Sequence, residues 1–176
     1  MKARGLLMIE HRLIEKTIVL AKRKLSEFNE DNFDPVLLDN IIDFIRTYAD
    51  KTHHGKEEDI LFKRLEGKSL NKADAELMQH LADEHKQTRK KVKELISLNN
   101  DFKSGNKSVT EDIKKIVNWL SELYPEHIQK EDVSFFPNAD KYFSDTELDE
   151  LLNEYYLFDA RMIHEKYLSL YNSLKD

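Results

Sequence analysis

Glycine and proline are the residues that most readily let a chain turn, and this chain of 176 residues has only four of the first and three of the second. Between them lie long stretches in which apolar residues recur at helical spacing. With 40% hydrophobic and 35% charged residues, that pattern favours long amphipathic helices over strands. The punctuation predicts five helices. The first covers about 4–28 and ends at the polar run "NEDNFDP". Asp34 and Pro35 form a cap and first turn for a second helix reaching about 65, closed by Gly67. A third fits about 71–102. After the loop "KSGNKS", a fourth starts near 110, is kinked by Pro125 and is stopped by Pro137. Ser144 and Glu147 have capping-box spacing and open a fifth, over about 145–174. Helices of this length with short connections favour an all-α fold: an antiparallel four-helix up-and-down bundle with an additional C-terminal fifth helix. A single domain over 1–176 is expected, with the bundle at about 4–137.

The chain has no cysteine, which excludes disulfides, thiolate metal sites and cysteine nucleophiles. The apolar run Leu6-Leu7-Met8-Ile9 meets Glu10 and His11 at once. It is too short for a signal peptide, and no later segment approaches a membrane span. A cytoplasmic protein without a membrane partner is expected. The net charge of −6 argues against nucleic acid as a partner, and Arg89-Lys90-Lys91 reads as a solvated helix face.

Four helices carry a histidine on the apolar side. His11 falls on the stripe of Leu7, Ile14, Ile18 and Leu25. His85 lies between Met78, Leu81, Val92 and Ile96, and His127 follows Ile113, Ile116, Leu120 and Leu123. In the doublet of the second helix, His53 continues the stripe of Leu38, Ile42, Ala49 and Ile60. His54 shares a face with Asp43, Thr47 and Asp50 and is expected outside the ligand set. A lone core-facing histidine is usually a packing residue. Here, however, "HHGKEEDILF" recurs as "HIQKEDVSFF", so Glu57 stands one turn after His53 and Glu131 one turn after His127. Two ionised glutamates in a core need compensation, and a bound metal is the simplest. Four imidazoles and two carboxylates exceed the needs of one tetrahedral zinc and suit two six-coordinate ions bridged by the carboxylates. Glu58 and Asp132, one residue past the bridges, hydrogen-bond the imidazoles or face water. No Glu-x-x-His pair of ferritin-like centres is present, nor a His-Glu-x-x-His zinc motif.

The segments "EHRLIEK", "HHGKEEDILF", "DEHKQTRKKV" and "HIQKEDVSFFP" together resemble the hemerythrin-like, HHE cation-binding family. That resemblance implies a four-helix bundle around a non-haem di-iron centre with carboxylate and oxo or hydroxo bridges. His11 and His53 would serve one side of it, His85 and His127 the other, and Glu57 and Glu131 would bridge. Oxygen carriers of the family resemble one another in a further histidine one turn after the third-helix histidine, where this chain has Arg89. His164, on a stripe with Leu157, Ala160, Leu168 and Tyr171, is a candidate replacement. Without it, the site resembles bacterial di-iron proteins of nitrosative stress and iron-sulfur repair, which usually carry a cysteine-bearing segment that this chain lacks. Two functions stay open. One is binding of O2 or NO for sensing, storage or delivery. The other is an enzyme that turns over O2, peroxide or NO, with Arg89 stabilising an anionic intermediate.

Overall fold

The computed structural model describes residues 2–174. Five helical rods follow one another: α1 (Ala3–Ser26), α2 (35–66), α3 (Lys72–Lys103), α4 (110–139) and α5 (Asp145–Ser173). Three of the starts are fixed by side-chain caps. The Asp34 carboxylate accepts from the amides of Val36 and Leu37 at 2.9 and 3.1 Å, with Pro35 in the first turn. The Asn71 side chain accepts from the Asp74 amide at 2.9 Å. Ser144 and Glu147 form the reciprocal capping box, the Ser144 amide donating to the Glu147 carboxylate at 2.8 Å. Gly105, with φ of 102°, makes the turn after α3.

Two rods are not regular α-helix. In α2 the stretches Phe44–His54 and Glu57–Phe62 are π-helical, as is Glu131–Phe135 in α4. Their i→i+5 hydrogen bonds widen the turn, which in most proteins happens only locally and often at functional sites. The widening also alters how α4 ends. The rod does not stop at Pro137 but continues to Ala139. Pro137 sits in the first turn of the α-helical segment that follows the π turn, where a missing amide is tolerated. Pro125 lies inside Thr110–Lys130, and the helix runs on through it.

The rods pack in a ring, α2 against α1 and α3, and α4 against α3 and α1. Their buried apolar residues form two clusters. One holds Ile14, Leu25, Leu38, Ile45, Leu95 and Leu120, and the other Leu7, Phe62, Leu81, Phe135, Leu151 and Tyr155. Between them lies a polar belt comprising Glu10, His11, His53, His54, Glu57, Glu84, His85, His127 and Glu131, all buried. Polar groups at such depth are expensive unless partnered, so the belt is where the bundle gives up hydrophobic stabilisation.

Helix α5 lies against α1 and the π-helical stretches of α2. It seats Leu148, Leu151, Tyr155 and Phe158, which are buried. Gly55 permits the approach, since a Cβ there would stand 2.7 Å from the Phe158 ring. Past that point the helix is largely exposed, with Ile163, Tyr167 and Leu168 open to solvent. Among the described residues, no helix is long and apolar enough to cross a membrane.

Candidate metal centre

Two groups of potential metal donors lie side by side in the belt. His11, His53, Glu57 and Glu131 form one, and His54, His85 and His127 the other, with donor atoms in each group within 4.8 Å of one another. The two glutamates are fully buried and stand between the groups. Glu57 Oε1 is 3.3 Å from His53 Nε2 and 4.0 Å from His11 Nε2, while its Oε2 is 3.6 Å from His85 Nε2. Glu131 Oε2 is 3.2 Å from His11 Nε2, while its Oε1 is 3.3 Å from His127 Nε2 and 3.9 Å from His85 Nε2. Each carboxylate thus turns one oxygen to each side, the disposition a bridging ligand requires.

Behind the imidazoles runs a closed ring of carboxylates. Glu10 of α1 accepts from His53 Nδ1 at 2.8 Å, and Glu58 of α2 from His85 Nδ1 at 2.7 Å. Glu84 of α3 accepts from His127 Nδ1 at 2.8 Å, and Asp132 of α4 from His11 Nδ1 at 2.7 Å. Every rod of the bundle therefore grips the histidine of the next. Each carboxylate is held in turn by a cation from the gripped rod: Lys56 on Glu10, Arg89 on Glu58, Lys130 on Glu84 and Arg12 on Asp132. With Nδ1–H donated outward, every Nε2 is left with its lone pair facing inward, which fixes the tautomer a metal ligand needs.

The inward atoms lack ordinary partners. His11 Nε2, His53 Nε2 and all four oxygens of Glu57 and Glu131 are buried without a hydrogen bond. His85 Nε2 and His127 Nε2 face each other at 3.0 Å. Since both rings donate from Nδ1, two lone pairs would meet there unless a cation lies between them. Protons can fill that role in part. Burial opposes charge on His53, but the Glu57 and Glu10 carboxylates outweigh it and bring its pKa up to about 10. Burial likewise opposes charge on His127, and Glu131 and Glu84 bring it to about 10. Burial, reinforced by neighbouring imidazoles, holds His85 well below its ordinary value, and burial also lowers His54. Divalent ions would satisfy the same atoms with more charge, and the donor set of imidazole and carboxylate suits iron among other first-row metals. The residues fit a metal centre.

Three placements differ from the sequence expectation. His54 does not lie on the polar side; it is 2% exposed and stacks on His85 with ring centroids 3.8 Å apart. The expectation assumed 100° per residue, whereas His54 ends a π-helical stretch in which that spacing does not hold. Its Nδ1 approaches Asp50 at 3.4 Å, and Asp50 is held by Arg89 at 2.7 Å. His164 is exposed and belongs to neither donor group. Helix α5 docks through Leu148, Leu151, Tyr155 and Phe158, and His164 is nine residues beyond Tyr155, on the opposite side of the helix. Arg89 does not stand as a free cation near the centre. Its guanidinium is engaged by Glu58 and Asp50, behind His85 and His54. Glu58 and Asp132 do take outer positions, bonded to His85 and His11. Glu10, Glu84 and Lys56 are absent from the sequence expectation; the dipeptide Glu-His marks Glu10-His11 and Glu84-His85 but equally Glu126-His127, whose glutamate is exposed, and nothing local marks Lys56.

No curated protein and no solved structure was found to match the chain. The family model described as Hemerythrin HHE cation binding domain matches residues 3–139, which contain every donor of both groups. An all-α bundle, the paired histidine and glutamate clusters at its centre and that match agree: the chain belongs to the hemerythrin HHE cation-binding family, and its clusters fit a bound cation.

Proposed function

We propose that the protein holds two non-haem iron ions, bridged by Glu57, Glu131 and an oxo or hydroxo group. In this reading it binds O2, or a related diatomic such as NO, for sensing, storage or delivery. His11 and His53 would hold one ion. His85, His127 and His54 would hold the other, with His54 in the part that Arg89 leaves unfilled. The observation that carries this is the orientation of the two carboxylates, one oxygen of each toward either group of imidazoles. Bound iron would supply the change of oxidation state and the exchangeable coordination position that a diatomic ligand requires.

The chain's own residues would control the rest. The carboxylate ring keeps the imidazoles in place and maintains the tautomer that directs Nε2 inward. With the glutamates shared, three imidazoles on one side and two on the other leave the His11 and His53 side with the room for an outside ligand. Phe136 lies parallel to His11 at 5.7 Å and Phe62 parallel to His85 at 6.2 Å. Together with Leu7, Leu81 and Phe135 they wall off one end of the belt with apolar surface, which excludes water and favours a small neutral ligand. The limited room on one side favours binding over turnover by an enzyme acting on O2, peroxide or NO.

Reduced, iron-loaded protein should develop a charge-transfer absorption band when exposed to O2 and lose it when degassed. Rapid irreversible oxidation with release of product would replace binding with enzymatic turnover as the function.

A further inference from the structure

Of the four cations behind the carboxylate ring, three are open to solvent. The side chain of Arg12 is 51% exposed, that of Arg89 33% and that of Lys130 32%, whereas that of Lys56 is 0% exposed. Lys56 stands behind Glu10, whose other oxygen holds His53, on the His11 and His53 side of the centre. Its Nζ also donates to Asp159 of α5 at 2.5 Å. Helix α5 closes this position, because Phe158 covers Gly55, the residue beside Lys56, at a separation that admits no side chain. The family match ends at residue 139, so α5 and Asp159 lie beyond it.

We infer that Lys56 is a positioning residue that acts through Glu10 and His53 to raise the reduction potential of the neighbouring ion, with α5 shielding it from water. This rests on the di-iron reading above. A charge removed from water acts with several times the strength of an exposed one, so Lys56 matters more than Arg12, Arg89 or Lys130. Two effects share one sign. A fixed positive charge near the centre disfavours its more oxidised, more positive state. By drawing on the Glu10 carboxylate, Lys56 also weakens that group's pull on the His53 Nδ1 proton, which leaves Nε2 the poorer electron donor. Both favour the reduced iron that takes up a diatomic ligand.

Potentiometric titration of the iron-loaded full chain, followed by absorption, tests this in wild type, Lys56→Met, Lys56→Arg, Asp159→Asn and Lys130→Met, with iron content and helicity measured for each. At the wild-type midpoint, Lys56→Met should shift the ratio of oxidised to reduced protein at least tenfold toward oxidised, 59 mV for a one-electron step. Asp159→Asn should shift it the other way. The asparagine oxygen still accepts from Nζ, so the cation stays while an opposing negative charge is lost. Lys56→Arg should stay within threefold of wild type, and Lys130→Met should shift the ratio in the same direction as Lys56→Met but by less, because that cation is exposed. A merely structural role would loosen the site alike in Lys56→Met and Asp159→Asn. Shifts of one sign, or a Lys56→Met potential unchanged at full iron content, would overturn the inference. If Lys56→Met does not fold or load, Asp159→Asn decides alone: a shift toward reduced supports the inference, and none, or the reverse, refutes it. Wild-type protein that takes up no iron would refute the di-iron reading itself, a result distinct from iron-loaded variants with unshifted potentials.

Discussion

The two halves of the centre share Glu57 and Glu131 yet are built differently. The half with His11 and His53 draws one imidazole from each of two rods and is backed by a buried lysine and the fifth helix. The half with His54, His85 and His127 has three imidazoles from three rods, and the cation behind two of them, Arg89, is partly exposed. One rod serves both halves, because consecutive residues His53 and His54 point to opposite sides. The doublet lies in a π-helical stretch of α2 and supplies a third imidazole on the side where residue 89 is arginine.

If the carboxylates are common to both halves, the largest loss follows from removing one. Glu131→Ala should weaken binding of both ions by more than about 100-fold, the upper end of what loss of an outer partner alone costs. Metal analysis should find the protein nearly metal-free, whereas one ion kept at full occupancy would show that the halves are independent. Next in size, His54→Ala should lower the metal content of the three-imidazole half alone, leaving about one tightly held ion per chain by the same range of effects. His164→Ala should change neither metal content nor spectrum. The reverse pattern would return the fifth imidazole to α5.

The halves also differ in the protons they hold without metal. His53 on one side and His127 on the other have pKa values raised to about 10. Ferrous loading near neutral pH should thus release protons, and apparent affinity should climb as pH rises toward 10. A raised pKa contributes stability that is complete below the unfolded value of about 6.5 and is lost as pH passes the folded value. Metal-free protein should accordingly lose stability between pH 6.5 and 10, seen as a falling denaturation midpoint. Loaded protein should not follow, since its histidines are held deprotonated. Identical pH profiles for the two forms would contradict protonation of these imidazoles. The smallest effect falls on the two-imidazole half. Gly55→Ala places a methyl against Phe158 and should destabilise the protein by about 1–3 kcal/mol, as overpacking commonly does. Thermal unfolding would measure it, and an unchanged midpoint would mean that α5 is not closely seated there.

Much of this architecture was legible in the sequence wherever a short stretch decides the outcome. Asp34 with Pro35, Asn71, and Ser144 with Glu147 cap helices by contacts within three residues, and the helix limits followed to within a few positions. His11, His53, His85, His127 and the two glutamates stood out because apolar stripes at α-helical spacing broke there. His54 was misplaced for the same reason, since that spacing fails in a π turn and no local residue announces one. The carboxylate ring was legible only in part. Glu58 and Asp132 follow the bridging glutamates and drew notice, but Glu10 and Glu84 bond histidines of other rods, 43 residues away in each case. Lys56, an ordinary lysine in sequence, is buried between Glu10 of α1 and Asp159 of α5, contacts that no short stretch of sequence announces.

Anaerobic titration of the metal-free protein with ferrous salt, followed by removal of unbound iron and metal analysis, addresses the shared centre most directly. Two iron ions per chain in the wild type, and close to none once Glu57 and Glu131 are both replaced by alanine, is the expected result. One ion or none in the wild type, or two ions retained without either carboxylate, would contradict a pair of ions bridged at the centre of the bundle.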